Sequence, residues 1–259
     1  MKENKLAVIK LGGSAITDKA RPYSVRLDNL EKVSKILGKL YSGGYNFVLV
    51  HGGGSFGHPT AAKYKLHEGG LSPNKLRGFA ETRYWMTRLN TYVVKALLKQ
   101  GVPAVSLQTS AIARNNNGKV SYFNYNIVRE MVSIRLVPVL YGDVVLDETR
   151  GFSILSGDVI AARIAVHFGA GALIYVMGAG GVYSKHPGDP DAKLLREVTS
   201  KSLLTVGGCS GIDVTGGLRE KLEEAFIAAS NNVRVAIGGI DFLEEMLLDK
   251  DAPYTRVLP

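Results

Sequence analysis

Short apolar runs alternate with segments of helical periodicity along most of the chain. The apolar runs predict strands at residues 6–9, 47–50, 104–107, 137–141, 144–146, 173–176 and 233–237. Apolar positions three and four apart predict helices that begin near Asp28, run from about Asn74 to Gln100, cover about 125–135, and extend from Ser156 to Phe168. A last helix, opened by Gly216-Gly217, carries Lys221.

Alternating strands and helices indicate a mainly parallel open sheet with helices on both faces, a three-layer α/β/α sandwich. No internal repeat or linker divides the chain, so we expect one domain over residues 1–259. Asn115 to Gly118 is typical of a hairpin turn. Residues 59–73 show no regular period and are expected to be irregular.

Glycine-rich loops follow four of the predicted strands, at residues 12–13, 52–54, 142 and 178–181. The richest is His51-Gly-Gly-Gly-Ser-Phe-Gly-His58, which Pro59 closes. Glycine lets backbone N–H groups turn towards a bound anion. Ligands of open α/β sheets gather at the carboxyl ends of the strands. The pattern therefore predicts an anion site at that edge.

Composition narrows the class of protein. The chain has 259 residues, 46% of them hydrophobic, which suffices for a full core. No apolar run approaches the roughly 18 residues of a membrane span, and Met1-Lys2-Glu3 shows no signal-peptide pattern. One cysteine, Cys209, fits a reducing compartment and is interpreted as structural. We expect a cytoplasmic protein that does not associate with membranes.

The formal net charge of +9 has two interpretations. It describes either a solvated basic surface or one that attracts phosphorylated small molecules. The basic residues are dispersed, with no basic arm and no aromatic-interleaved RNA motif, so we expect no nucleic-acid partner.

Lysines beside the glycine turns favour phosphoryl transfer. Lys10, Lys19 and Lys221 each lie next to such a turn or on a helix that follows one. Phosphoryl transfer needs positioning and charge compensation, which lysines and backbone N–H groups supply. Each lysine alone could be an ordinary surface residue.

The glycine spacing of Gly52-x-Gly-x-x-Gly57 fits the fingerprint of dinucleotide-binding proteins. That fingerprint also requires an acidic residue about 20 positions later, and none is present there.

His58 is the histidine most suited to a ligand. It could donate to a phosphate oxygen, or it could be a satisfied structural histidine. His51, at the strand end, is interpreted as structural. The other histidines, His67, His167 and His186, lack metal-ligand spacing, so we predict no zinc site and name no metal-binding residue.

Together these motifs resemble the amino acid kinase superfamily. The resemblance rests on Lys10-x-Gly-Gly-Ser, the loop from His51 to Gly54, Ser156-Gly-Asp158, and Asp213-Val-Thr-Gly-Gly-x-x-x-Lys221. Within that superfamily, the segment ending in His58 is similar to isopentenyl phosphate kinases, which use ATP and magnesium in the archaeal-type mevalonate route.

The resemblance implies a role for each matching residue. Lys10 and Lys221 would hold the transferring phosphoryl group, Asp158 would hold both lysines, and Lys19 would reach the γ-phosphate. The acceptor phosphate would be bound by Gly53, Gly54, Gly57, Gly157 and His58. The nucleotide would contact Lys10, Gly12, Gly13, Ser14, Gly178, Gly180, Gly216, Gly217 and Lys221. Phe79, Met86, Leu89 and Val93 could line a slot for an apolar tail, although most are interpreted as core.

Two departures leave alternatives open. The superfamily's Thr-Asp-x-Asp-Gly reads Met177-Gly-Ala-Gly-Gly181 here, and Val159 replaces a second aspartate. Nucleotide preference is therefore open. The alternatives are a kinase of another small phosphate, phosphonate or carboxylate, and a nucleotide-binding regulator without catalysis. The family resemblance also implies a homodimer.

Overall fold

A computed structural model of the chain describes residues 6–18, 20–201 and 217–259. The strands in these ranges are β1 (Leu6–Leu11), β2 (Asn46–His51), β3 (Ala104–Ser106), β4 (Ala113–Asn116), β5 (Lys119–Phe123), β6 (Val137–Tyr141), β7 (Asp143–Asp147), β8 (Gly151–Leu155), β9 (Ala172–Val176), β10 (Glu197–Val198), β11 (Arg234–Gly238) and β12 (Thr255–Val257). The helices are α1 (Gly13–Ile16), α2 (Leu27–Ser42), α3 (Gly54–Lys63), α4 (Pro73–Leu98), α5 (Thr109–Ile112), α6 (Tyr125–Ser133), α7 (Gly157–Phe168), α8 (Leu218–Ser230) and α9 (Leu243–Leu248).

Eight strands form the central sheet, in the order β10-β12-β11-β9-β1-β2-β6-β3. Neighbouring strands are parallel except for β11 and β12. The inner strands β1, β2, β6 and β9 are almost wholly buried, as continuous apolar runs predict for strands covered on both faces. The prediction of a mainly parallel open sheet is confirmed.

Two apolar cores cover the opposite faces of this sheet. On one face, side chains of α7 and α8, among them Ile160 and Leu222, pack on alternate strand residues such as Val8 and Val50. On the other, side chains of α2, α4 and α9, among them Leu37 and Leu89, pack on the residues between them. Alternate strand residues point to opposite faces, so the three-layer α/β/α sandwich is confirmed.

A second, smaller sheet has the order β5-β4-β7-β8. Its β4–β5 hairpin turns at Asn117 and Gly118, both with positive φ, as the hairpin prediction requires. The apolar run from 137 to 146 is divided between the two sheets: β6 belongs to the large one, and β7 to the small one. Gly142 is the point of division.

The expectation that residues 59–73 are irregular is wrong for their first part. Helix α3 runs from Gly54 to Lys63 and includes Pro59, and a 3-10 turn follows at Leu66–Glu68. Proline lacks the N–H that would bond the carbonyl four residues earlier. That carbonyl, on Ser55, accepts instead from the Tyr23 N–H at 3.0 Å. A contact distant in sequence thus permits a helix that glycine and proline argue against locally.

Helix α4 is the longest of the described helices, at 26 residues. Its exposed side carries charged residues such as Arg77, Arg88 and Lys95. None of the helices in the described ranges combines the length and apolarity needed to span a bilayer.

Candidate active site

The glycine loops meet at one edge of the central sheet. The loops after β1, β2, β6 and β9 follow four strands that are consecutive in the order β9-β1-β2-β6 and all parallel. Their carboxyl ends therefore lie at the same edge. They border a cavity of about 510 Å³. Its wall includes residues from α3, α4, α7 and α8 as well as the loops.

Two lysines share one carboxylate beside this cavity. Nζ of Lys10 lies 2.7 Å and Nζ of Lys221 lies 2.6 Å from Oδ1 of Asp158. All three residues are buried, with exposures of 6%, 7% and 7%. Lys10 is the penultimate residue of β1, Asp158 lies in the first turn of α7, and Lys221 lies at the start of α8. The group carries a net charge of +1 at the cavity wall.

The shared carboxylate and burial shift the pKa values of this group. Burial and the neighbouring Lys10 lower the pKa of Lys221 to about 8, although Asp158 opposes the shift. Burial alone would raise the pKa of Asp158, but attraction to both lysines lowers it overall. Asp158 is therefore ionised at neutral pH, and its position near the N-terminus of α7 also favours the charge.

The first two glycine loops contact each other directly. A Cβ on Gly13 would overlap the backbone of Gly54, and a Cβ on Gly54, whose φ is +47°, would overlap the hydroxyl of Thr17. Thr17 is fully buried; its Oγ1 donates to the Gly13 carbonyl at 2.7 Å and accepts from the Ser55 N–H at 3.0 Å. The Thr17 hydroxyl therefore joins the two loops.

His58 reaches the cavity from α3, whose first four residues include Gly54 and Gly57. Met86 of α4 lies against this helix, since its Sδ would be 2.9 Å from a Cβ on Gly57. Beyond them the wall becomes apolar, with Ala61, Val144 and Ile154. The cavity therefore has a polar end at the glycine loops and an apolar end between α3, α4 and the small sheet.

His51, the last residue of β2, contacts the glycine loop that follows this strand. It is fully buried, and its Nδ1 lies 3.1 Å from the Gly52 carbonyl while its Nε2 lies 3.1 Å from the Asn90 amide nitrogen. Only a neutral imidazole donates through Nδ1 and accepts through Nε2. Burial lowers the pKa of His51 to about 4, which agrees with that state. His51 is a buried neutral side chain, as the structural interpretation requires.

Most of the residues that the sequence singled out lie on the wall of this cavity. They are Lys10, Gly12, Gly13, Ser14, Gly53, Gly54, Gly57, His58, Gly157, Asp158, Gly217 and Lys221. Gly178 and Gly180 lie in the loop after β9, off the wall, with the Gly178 N–H 3.4 Å from Oγ of Ser14. Lys19 and Gly216 lie outside the described residues. Of the tail-slot candidates, Met86 lines the cavity; Leu89 and Val93 belong to the core, and Phe79 packs on Phe152.

Sequence reasoning missed three residues of the site. Thr17 and Thr82 carry no recognisable motif, because their positions depend on contacts between segments far apart in the chain. Glu220 lines the cavity beside Lys221, and burial and the nearby Asp158 raise its pKa. Its proximity to Lys221 in the sequence is a signal that could have identified it.

Chemically, this cavity suits polyanions. Two buried ammonium groups, a histidine and the glycine loops surround its polar end, where phosphate oxygens would find charge and N–H donors. Its apolar end suits a short hydrocarbon tail. In the described residues, no cluster of three or more histidine, cysteine or acidic side chains could hold a metal ion.

Comparisons with known proteins agree with this fold. The model of the amino acid kinase family matches residues 5–239. The isopentenyl phosphate kinase of Methanothermobacter thermautotrophicus is 35% identical over 97% of this chain and 98% of its own length. That of Methanocaldococcus jannaschii is 34% identical over 84% of this chain and 85% of its own.

Solved structures give the same result. An X-ray structure of an isopentenyl phosphate kinase superposes with a TM-score of 0.83, at 33% identity, over 97% of this chain and 99% of the other. A carbamate kinase from Giardia lamblia, at 15% identity and a TM-score of 0.74, shares the fold. The chain therefore belongs to the amino acid kinase family and, within it, to the isopentenyl phosphate kinases.

Proposed function

We propose that this protein transfers the γ-phosphoryl group of ATP to isopentenyl phosphate, giving isopentenyl diphosphate and ADP. The observation that supports it best is one cavity that combines the Lys10–Asp158–Lys221 group with His58 and an apolar end. A phosphate acceptor with a hydrocarbon tail requires both of these ends. Relatives named isopentenyl phosphate kinase support the same acceptor.

In this proposal the two lysines bind the transferring phosphoryl group. Asp158 keeps Lys10 and Lys221 together, where their charges offset the negative charge of the transition state. Gly12, Gly13, Ser14 and Gly217 line the nucleotide's phosphates. The resemblance adds Lys19, Gly178, Gly180 and Gly216 to the nucleotide side. The acceptor side thus draws mainly on the N-terminal half, whereas the nucleotide side draws on both halves.

His58 has the complementary role at the acceptor. An acceptor that is itself a phosphate is repelled by the triphosphate it must approach. We propose that His58, together with the backbone of Gly53, Gly54, Gly57 and Gly157, binds the acceptor phosphate and offsets this repulsion. One acceptor oxygen attacks the γ-phosphorus, the bond from that phosphorus to the β–γ bridging oxygen breaks, and ADP leaves with the electron pair.

The residues of this cavity fit magnesium that binds together with the phosphates of the nucleotide. Asp158 is ion-paired to two lysines, and Asp143 is paired to Arg83 at 2.6 Å, which leaves Glu220 as the further carboxylate among the described wall residues. Magnesium in such sites keeps several waters and binds chiefly to phosphates with one or two carboxylates. When bound, it would neutralise part of the triphosphate charge.

An ADP-release assay with ATP, magnesium and alternative acceptors tests the proposal. We expect saturable turnover with isopentenyl phosphate and none with glutamate, aspartate or N-acetylglutamate. Turnover with one of these carboxylates but not with isopentenyl phosphate would instead favour a carboxylate kinase. Nucleotide binding without phosphoryl transfer to any acceptor would favour a regulator. The absence of the superfamily's aspartates from the Met177–Gly181 loop is the reason for testing this alternative.

Lys221 predicts a loss of activity at alkaline pH. The free enzyme needs Lys221 in its ammonium form in order to bind ATP productively. Because the pKa of Lys221 is lowered to about 8, kcat/KM for ATP should fall tenfold per pH unit well above pH 8. Bound phosphate stabilises the ammonium, so the corresponding limb of kcat should lie at higher pH. Initial rates from pH 6 to 10 measure both. A kcat/KM profile that stays flat to pH 10 would contradict the role of Lys221.

Because the Thr17 hydroxyl joins two glycine loops, its removal should lower kcat without a comparable change in KM. The substitution Thr17→Val keeps the shape but removes both hydrogen bonds of the hydroxyl, including the bond from the Ser55 N–H that joins the two loops. We expect kcat to fall about tenfold. KM for either substrate should change less than about threefold. Thr17→Ser keeps the hydroxyl and should restore most of kcat. Equal rates for the valine variant and the wild type, measured by ADP release, would refute this role.

A further inference from the structure

Thr82 lines the cavity, and its hydroxyl, which is closed off from solvent, has no hydrogen-bond partner. The residue is 4% exposed and lies on α4. Among the described residues, the other buried threonines each use their hydroxyl: Thr17 bonds to Gly13, Thr60 to Tyr23, Thr109 to Tyr141 and Thr255 to Leu195. The Oγ1 of Thr82 has no such bond. Thr82 is therefore the exception.

The helix itself does not satisfy this hydroxyl. A threonine in a helix usually donates to the carbonyl four residues earlier, as Thr91 does to Thr87 at 3.0 Å on the same helix. Thr82 makes no such bond in the structure. Leaving a buried hydroxyl unpaired is unfavourable, whereas valine would fill the same space without that cost. A polar group on a bound molecule would remove the penalty.

The position of Thr82 indicates which part of the acceptor it would meet. Met86, one turn further along the same face of α4, lies against Gly53 and Gly57. One helical turn is about 5.4 Å. Phe79, on the other side of Thr82 from Met86 along α4, packs against the cluster that contains Val144 and Phe152. Thr82 therefore lies beyond the phosphate-binding end, towards Val144. An acceptor bound by its phosphate would present the branched end of a five-carbon tail there.

We propose that Thr82 adapts this site to branched short-chain monophosphates that carry a hydroxyl on the tail, with the Thr82 hydroxyl as its hydrogen-bond partner. Threonine occupies two χ1 rotamers in helices, so Oγ1 can turn towards the tail. The inference deepens the proposed function, on which it rests: the same phosphoryl transfer from ATP would convert 3-hydroxy-3-methylbutyl phosphate into its diphosphate, with ADP as the second product.

Two acceptors that differ only in the hydroxyl test the inference. They are 3-methylbutyl phosphate and 3-hydroxy-3-methylbutyl phosphate, each assayed for kcat/KM beside isopentenyl phosphate. In the wild type we expect the hydroxylated acceptor to match its parent within about threefold, because the new hydrogen bond replaces those lost to water. A hydroxyl without a partner in an apolar pocket should instead lose at least about tenfold.

Thr82→Val is the matched variant, and Thr82→Ser is its control. The valine variant should lower the ratio of hydroxylated to parent acceptor about tenfold. The serine variant should retain the wild-type ratio. Thermal melting of each variant checks folding, and the wild-type ratio remains decisive should the valine variant fail to fold.

The outcomes separate this inference from the proposed function. Turnover of isopentenyl phosphate together with at least a tenfold preference against the hydroxylated acceptor in the wild type would overturn the inference alone. An equal ratio in wild type and the valine variant would also overturn it, and would indicate that water or the helix satisfies Thr82. A lack of turnover with all three phosphates would refute the proposed function itself.

Discussion

Asp158→Asn is expected to lower kcat by about 100- to 1000-fold. The amide has the shape of the carboxylate but no charge, so the ammonium groups of Lys10 and Lys221 would repel each other without compensation. The attraction that opposes the lowered pKa of Lys221 would also be lost, and more of this lysine would become neutral at pH 8. Repulsion would move the two ammonium groups apart, and deprotonation would neutralise one of them, so both changes weaken the charge compensation at the transferring phosphoryl group. Steady-state rates with isopentenyl phosphate and ATP measure the effect.

Asp147→Asn is the matched control. Asp147 is also buried, but it accepts hydrogen bonds from the Gly118 N–H at 2.7 Å and the Arg150 N–H at 2.9 Å in the small sheet, away from the cavity wall. We expect this variant to melt at a lower temperature with nearly unchanged kcat. Similar losses of kcat in the two variants would show that Asp158 contributes through stability and not through the lysines.

His58→Ala is expected to lower kcat/KM for isopentenyl phosphate by about 100- to 1000-fold. The acceptor phosphate would lose a donor at the point where it must approach another polyanion. KM for ATP should change little, because the nucleotide binds through other residues. His58→Gln keeps a hydrogen-bond donor without a positive charge. Its kcat/KM for isopentenyl phosphate should lie between the values of the wild type and the alanine variant. Initial rates at varied concentrations of each substrate distinguish these effects.

His67→Ala provides the comparison for this variant. His67 is exposed in the 3-10 turn that follows α3 and does not line the cavity. Its removal should leave both KM values and kcat unchanged. Retention of wild-type kcat/KM by His58→Ala would exclude His58 from the acceptor site, and with it the feature that separates a phosphate acceptor from a carboxylate.

The parts of the fold that local patterns control could be predicted. Continuous apolar runs identify β1, β2, β6 and β9 because both faces of these strands are buried. Parallel strands bring their following loops to one edge, which is why glycine turns distant in sequence predicted a common site. The family resemblance already implied that Asp158 holds both Lys10 and Lys221, and the folded chain adds that both lysines contact the same oxygen, Oδ1.

What could not be predicted depends on contacts between distant segments. The start of α3 contains glycines and a proline, and its stability depends on Tyr23, which occupies the carbonyl that Pro59 leaves free. Thr17 is ordinary in sequence and becomes important only where two loops touch. The division of the run at 137–146 between two sheets likewise follows from the tertiary arrangement. A homodimer and a cytoplasmic location remain predictions.

The most direct test of the account is identification of the product by 31P NMR. The purified protein would be incubated with isopentenyl phosphate, ATP and magnesium, and the spectrum followed with time. Phosphoryl transfer to isopentenyl phosphate should replace the monophosphate resonance by the two coupled resonances of a diphosphate monoester, with one equivalent of ADP. Formation of ADP with inorganic phosphate, while isopentenyl phosphate stays unchanged, would contradict it.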